Sequence, residues 1–372
     1  MEIKYNSSVM RVLMQRFLFL LLAGVLNACG SGGPEEAANP AIDTGKVYRW
    51  KMVTTWPANF PVFQEAPEMF AENIRVMSNG RLDITVFAGG ELVPALQVFD
   101  AVSQGAVEMG HGSAYYWAGK VPAAQFFSTV PFGMEQKGVE AWLYHGGGLE
   151  LWNELYEPFN VIALPMGNSG VQMGGWFNKK IESIDDLKGL RMRIPGLGGK
   201  VLDRAGGNPI LMSGGELYTA LERGTIDATE WVGPLHDLRL GLNRAATYYY
   251  YPGWHEPGSE LELLISRARW DSLPADLQQI VKQAAAATSA WTFSAMEYHN
   301  SQALKELSGK KNVQVLPFPQ DVLQALRGVT RQTLESEAEK DPEFKRVYES
   351  YLAFQDSYQP WHRLTSKALE TD

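Results

Sequence analysis

Between residues 187 and 234 the apolar and polar positions change period several times in a regular order. Residues 190–194, Leu-Arg-Met-Arg-Ile, alternate apolar and basic side chains, the period of a half-buried strand. Pro195-Gly196 stops that strand, 197–205 takes a helical pattern closed by Gly206-Gly207, and 209–212 is a short apolar strand. A second helix over 215–223 stacks Leu217 and Leu221 at i and i+4 and ends at Gly224. Residues 225–229 read as the next strand, which delivers Glu230 and Trp231 at its carboxyl end.

The same alternation fills the rest of the chain. Strands are predicted over 47–54, 81–87 and 107–110, helices over 62–78 and 94–103, then one helix over 138–157. Strands over 159–165 and 171–178 follow, the second holding Gln172 near its start. A short helix runs from Pro234 to Leu240, and 246–251 is a strand of high aromatic density that includes Tyr248 to Tyr251. After a strand at 261–266, a helical pattern without internal Pro or Gly runs from 274 to about 307. Leu277, Ile280, Val281, Ala284, Ala285 and Trp291 keep its 3.6 period, and it would span ~50 Å. A strand at 313–316 and helices at 320–338 and 342–358 close the chain. Strands alternating with helices predict a mostly parallel sheet covered by helices.

An internal echo adds a second lobe. Gly89-Gly90-Glu91-Leu92 recurs as Gly214-Gly215-Glu216-Leu217, and each copy leads to a helix that ends in a similar phrase, at Gly105 and at Gly224. Two similar lobes would then face each other, with Tyr115 and Tyr116 opposing Glu230 and Trp231. In open α/β sheets ligands bind beyond the carboxyl ends of the strands. Arg193 and Glu230 both lie there, so they either pair with each other or serve a small anion with a cation beside it.

Composition narrows the class. A 372-residue chain with 45% hydrophobic and 20% charged residues has a substantial core, and a net charge of −9 argues against nucleic acid as a partner. Arg11 and Arg16 precede an apolar run over 17–25, the layout of an export signal. Leu26-Asn27-Ala28-Cys29 resembles the lipobox of bacterial lipoproteins, and Cys29, the sole cysteine, is the expected lipidation site that anchors the chain to a membrane. Residues 1–29 are thus read as signal peptide and lipobox, and 30–46, rich in Gly, Pro and Glu, as a flexible tether.

Enzyme signatures are incomplete. His145-Gly146-Gly147-Gly148 resembles a lipase oxyanion motif, but no Gly-x-Ser-x-Gly elbow accompanies it. His255-Glu256 lacks the second histidine of a zinc-protease helix, and Pro257 forbids helix there. The glycines at 196–199 match neither a dinucleotide fingerprint nor a P-loop, and the six histidines show no metal-ligand spacing. Export, tethering and two lobes favour binding without chemistry; an exported lipoprotein enzyme is the competing class.

From about Val47 to the C-terminal helices the chain resembles the extracytoplasmic solute-binding subunit of a tripartite ATP-independent periplasmic (TRAP) transporter, the DctP family. The broad match rests on Asp186-Leu187-Lys188-Gly189-Leu190-Arg191-Met192-Arg193-Ile194-Pro195-Gly196 and on Ala220-Leu221-Glu222-Arg223-Gly224-Thr225-Ile226-Asp227-Ala228. Within the family it is most similar to the branch binding 2-oxo acids or lactate with a metal ion. Gly170-Val171-Gln172-Met173-Gly174-Gly175-Trp176-Phe177, the phrase from Asp227 to Pro234, and that from Tyr251 to Gly258 carry this narrower match. His255 stands where an aromatic such as Trp is expected, which bears on pocket shape.

The resemblance implies a two-lobed, periplasmic-binding-protein-like α/β fold with the ligand cleft between the lobes and a long helix in the C-terminal half. Lobe I would comprise 47–170 plus 259–300, and lobe II 171–258 plus 301–358. It implies that Arg193 clamps the ligand carboxylate, a role suited to a planar, always charged fork. Gln172, Glu230, the main-chain carbonyl of Trp231 and Glu256 would hold Na⁺ or Ca²⁺, and Tyr115 or Tyr116 would reach the ligand from the opposite lobe. The implied function is capture of a small monocarboxylate for TRAP membrane subunits at the periplasmic face. A sugar acid or aromatic acid is the alternative ligand, and the long helix resembles one that some members swap to form homodimers.

Overall fold

The computed structural model describes residues 45–366. The expectations for 1–29, Cys29 included, and for nearly all of the tether lie outside the described residues. β1 (Tyr48–Thr54), α1 (Glu65–Met77) and β2 (Leu82–Phe87) form a parallel unit with Tyr48 opposite Leu82. α1 buries Ala66, Phe70, Ala71 and Ile74, whose spacing makes one helical face. α2 (Val98–Ser103) leads into β3 (Met109–Gly112), which lies parallel to β1 on its other side. The predicted 138–157 helix is two, α3 (Gln136–His145) and α4 (Gly148–Tyr156): glycine is a poor helix former, and the chain turns at Gly146-Gly147. β4 (Val161–Asn168) ends this part.

The chain then enters a second sheet. It contributes β5 (Gly175–Phe177), β6 (Arg191–Arg193), α5 (Gly196–Arg204), β7 (Asn208–Ile210), α6 (Leu217–Glu222), β8 (Ala228–Thr229), α7 (Pro234–Leu240), α8 (Leu242–Ala245) and β9 (Tyr248–Tyr251). β10 (Glu260–Ser266) returns to the first sheet and is followed by α9 (Arg267–Asp271) and the 34-residue α10 (Ala275–Ser308). β11 (Gln314–Pro317) goes back to the second sheet, and α11 (Gln320–Lys340) and α12 (Pro342–Ser366) finish the described chain. The sheet orders are β2-β1-β3-β10-β4 and β11-β9-β5-β8-β6-β7.

Each sheet is mostly parallel, as the alternation predicts, but each contains one reversed strand. β10 runs antiparallel to both β3 and β4, and β5 antiparallel to both β8 and β9. Each of these strands begins where the chain has just crossed from the other sheet. It enters from the opposite end to a strand delivered by a helix crossover within the sheet. β5 is also shorter than predicted, so Gln172 precedes the strand in a crossing segment. Gly175 allows this approach: its φ is +111°, and a Cβ there would lie 2.6 Å from the Thr229 carbonyl oxygen.

Residues 169–174 and 252–259 carry two of the crossings and bond to each other. Ser169 N donates to Ser259 O (3.0 Å), Gln172 N to Glu256 O (3.2 Å), and Gly253 N to Gln172 O (2.9 Å). One apolar cluster, with Met52, Phe70, Met109, Leu263, Leu277 and Val281, joins the first sheet to α1 and α10. Another, with Phe177, Met192, Val201, Phe318 and Val322, serves the second sheet. The largest bridges the two and includes Trp56, Phe60, Tyr115, Tyr116, Trp176 and Trp231. No described helix is long and apolar enough to cross a membrane.

Candidate functional site

Arg193 ends β6 and Glu230 follows β8. The two strands lie parallel with Arg193 opposite Thr229, so the register alone brings guanidinium and carboxylate together. Both are sealed, 1% and 0% exposed, and Nη1 of Arg193 ion-pairs with Oε1 of Glu230. Nη1 also donates to the Glu230 carbonyl (3.3 Å) and Nε to the Met212 carbonyl (3.2 Å), while the guanidinium carbon lies 4.9 Å from the centre of the Trp231 ring. Burial is the largest single influence on Arg193 and opposes its charge, but Glu230, Tyr116, Tyr115 and Glu256 together outweigh it and hold the guanidinium above its ordinary range. The pair does not exhaust itself: Nη2 of Arg193 and Oε2 of Glu230 are buried without a hydrogen-bond partner.

The two crossing segments supply the floor. Gln172 Nε2 donates to Glu256 (2.7 Å) and to Ser169 Oγ (3.0 Å), leaving Gln172 Oε1 unpartnered. Burial, and then the charge of Glu230, push the Glu256 carboxyl well above the usual carboxylate range, with Arg193 pulling the other way. His255 completes this side. Its Nε2 lies 3.4 Å from Oε2 of Glu230, yet neither ring nitrogen meets hydrogen-bond geometry.

The first sheet supplies the roof. The turn after β3 buries Tyr115 and Tyr116, as the turn after β8 buries Glu230 and Trp231, so both copies of the internal echo end in site residues. Burial and then Glu256 raise the Tyr115 hydroxyl well above its ordinary value, and burial lifts Tyr116 to about 12. Both are therefore neutral donors at physiological pH. Tyr115 meets Gly196, whose φ is +59°; a Cβ there would stand 2.9 Å from Tyr115 Cβ. Trp231 packs edge-on against Trp56 (6.4 Å) and Phe60 (6.1 Å), and His236 of α7 bonds the Pro61 carbonyl at 2.8 Å. The cleft is closed. The broad surface groove lined by Phe132, Trp254, Arg327 and Tyr358 contains none of the site's charged groups.

All seven binding residues named from the sequence converge here: Arg193, Gln172, Glu230, Trp231, Tyr115, Tyr116 and Glu256. His255 was not among them. Its sequence signals are adjacency to Glu256 and its place where an aromatic is expected in the 251–258 phrase; the fold, not spacing, carries it to Glu230. A buried polar atom left unpaired costs ~1–3 kcal/mol. Five residues, Arg193, Glu230, Gln172, Trp231 and His255, leave such atoms in one closed cleft and mark it as a candidate ligand site. Glu230, His255 and Glu256 each offer a donor atom, all within 4.8 Å of one another, and Gln172 adds an unpartnered oxygen; the oxygens of the set fit a hard cation.

The sequence profile of DctP, the bacterial extracellular solute-binding protein family 7, matches residues 52–341. The chain belongs to the DctP family. It is a family of solute-binding proteins of TRAP transport systems, not of enzymes. This DctP protein is 47% identical over 322 residues to the monocarboxylate 2-oxoacid-binding periplasmic protein of Nostoc sp., covering 87% of this chain and 88% of that one. It superposes with TM-score 0.85 and 44% identity on a TRAP periplasmic solute-binding protein from Pseudoalteromonas atlantica with bound sodium and pyruvate. It superposes with TM-score 0.84 and 44% identity on one from Colwellia psychrerythraea with bound calcium and pyruvate. Both superpositions cover 87% of this chain and 98% of the other, so the two-lobed α/β fold is shared throughout.

Proposed function

We propose that this DctP protein captures a small monocarboxylate, a 2-oxo acid such as pyruvate or else lactate, together with Na⁺ or Ca²⁺, and presents it to TRAP membrane subunits. The observation that carries this reading is the unpartnered Nη2 of Arg193 in the same sealed cleft as the unpartnered oxygens of Glu230 and Gln172. One donor awaits a carboxylate, and two acceptors await a cation. The relatives with bound pyruvate support the choice of acid.

In this reading Arg193 binds the ligand carboxylate through Nη2 while Glu230 holds Nη1 and fixes the guanidinium plane. Gln172, Glu230, Glu256 and the Trp231 carbonyl would hold the cation, which would supply positive charge for the ligand's oxygens. Tyr115 and Tyr116 close from lobe I as neutral donors. Lobe I is 47–170 plus 259–300 and lobe II is 171–258 plus 301–358, with 169–174 and 252–259 as the hinge. Closure excludes water, and each charged contact strengthens as the local dielectric falls. Cys29 carries the lipid anchor, 30–46 tethers the lobes to the membrane at its periplasmic face, and α10 supplies the contact for a homodimer.

A thermal-shift series tests the reading. Purified protein, stripped with a chelator and kept in potassium buffer, receives pyruvate, longer 2-oxo acids, lactate or sugar acids, each with and without Ca²⁺ or Na⁺. A ligand at 100 times its dissociation constant adds ~2.7 kcal/mol of stability. Stabilisation by a 2-oxo or 2-hydroxy acid that requires the cation is the expected result. A shift with sugar acids alone would remove the monocarboxylate reading.

A further inference from the structure

His255 is a buried histidine with two unpartnered nitrogens in a site whose charges do not balance. Its ring is held in place: a Cβ at Gly198 of α5 would stand 2.9 Å from His255 Cβ, and the Trp254 ring lies edge-on at 5.5 Å. So placed, Nε2 is 3.4 Å from Glu230 Oε2 without a hydrogen bond forming between them. Glu230, His255 and Glu256 each present an atom to one point in space, all three atoms within 4.8 Å of one another. Ligands about 2.0–2.6 Å from a common ion fit inside that spread.

Charge points the same way. Once a cation lies between Glu230 and Glu256 and displaces the proton that burial favours on Glu256, one guanidinium, Arg193, faces two protein carboxylates, and the ligand brings a third. A monovalent cation leaves this sealed site negative, and a divalent one brings it to neutrality. Imidazole nitrogen adds little to the binding of Na⁺ or Ca²⁺, which prefer oxygen, but it is a favoured donor to first-row divalent metals.

We propose that His255 Nε2 is a direct ligand of the bound cation, so that the site is a mixed nitrogen–oxygen one that prefers divalent over monovalent ions and accepts Mn²⁺ at least as well as Ca²⁺. This rests on the cation-assisted carboxylate reading and names the class of cation. His255 is then the residue that sets metal choice, while Arg193 sets the choice of a carboxylate ligand.

The experiment loads chelator-stripped protein with Mn²⁺ and pyruvate and records pulsed electron paramagnetic resonance. The expected result is modulation from a directly bound ¹⁴N nucleus that converts to a ¹⁵N pattern in protein grown on [¹⁵N]histidine. In parallel, pyruvate titrations compare Mn²⁺, Ca²⁺ and Na⁺. The wild-type protein should need no more Mn²⁺ than Ca²⁺, and His255→Gln should weaken Mn²⁺ by roughly tenfold or more while changing Ca²⁺ less. The spectroscopy needs only wild-type protein, so it decides the question even where the variant does not fold. Absence of histidine nitrogen coupling, with pyruvate still stabilising the Ca²⁺-loaded protein, overturns the role of His255 and leaves the proposed function standing. Absence of any cation-dependent pyruvate shift removes both.

Discussion

Arg193→Lys keeps the positive charge and removes the fork, which makes it the sharpest probe of the site. In the wild-type protein Nη1 is committed to Glu230, Nε to the Met212 carbonyl, and only Nη2 remains for a ligand. A lysine ammonium is a single point donor. Drawn to Glu230 by the opposite charge, it cannot also reach where Nη2 stood. The ligand carboxylate therefore loses one charge-assisted hydrogen bond, worth about 1.5–3 kcal/mol, or roughly a 10- to 150-fold rise in Kd. The folded protein should suffer less, because Glu230 keeps a cation beside it; losing the Met212 bond costs ~1 kcal/mol. Isothermal titration with pyruvate in the presence of Ca²⁺ measures the first effect, and chemical denaturation of the ligand-free protein the second. A Kd within about twofold of wild type would refute the reasoning, since the argument gives Nη2 no other task.

Gly196→Ala should lower stability by ~1–2 kcal/mol because φ at that position is +59°, and should weaken pyruvate binding further because the new methyl meets Tyr115 on closure; titration and melting read the two effects separately. His236→Phe removes the bond to the Pro61 carbonyl but keeps the aromatic contacts with Phe60 and Phe63, so Kd should rise ~5-fold, and an unchanged Kd would mean that bond contributes nothing to closure. Glu262 accepts from Trp117 and Tyr156, and burial raises its carboxyl from 4.5 to about 8. The native state thus holds a proton that the unfolded chain releases, and stability should fall as pH rises from ~4.5 to ~8 and level off above, by roughly 5 kcal/mol at most. Glu262→Gln should flatten that part of the pH profile, as read by denaturant midpoints at pH 5 and 8.

Much of this molecule is written in local pattern. The period-2 run at 190–194 and the helical spacing of Leu277, Val281 and Ala284 specify a strand and a buried helix face without reference to anything distant. Arg193 and Glu230 were legible as a pair because both sit at carboxyl ends of neighbouring parallel strands, a relation that a strand–helix–strand unit imposes. The common direction of most strands was legible, but the two reversed ones were not, since β5 and β10 are aimed by crossings between sheets and not by their own residues. Gln172 was placed in a strand because 171–178 is apolar enough. The close approach of Gly175 to Thr229 that shortens β5 is a tertiary fact. His255 was legible only as a departure bearing on pocket shape for the same reason: 25 positions separate it from Glu230 in sequence, and only the crossing segment 252–259 brings them to 3.4 Å.

The two bonded crossing segments hold Gln172 on one side and His255 and Glu256 on the other, so in the proposed function the parts that bend are also parts that bind. Affinity and stiffness then cannot be tuned separately. A substitution that strengthens cohesion between Gln172 and Glu256 also raises the share of empty molecules that stand shut, and an empty shut receptor is a false report to whatever membrane partner recognises the closed shape. Selection on such a receptor sets an upper bound on tightness through signal fidelity. Variants improved for capture at these positions should therefore deliver less solute per encounter, even as they hold it longer.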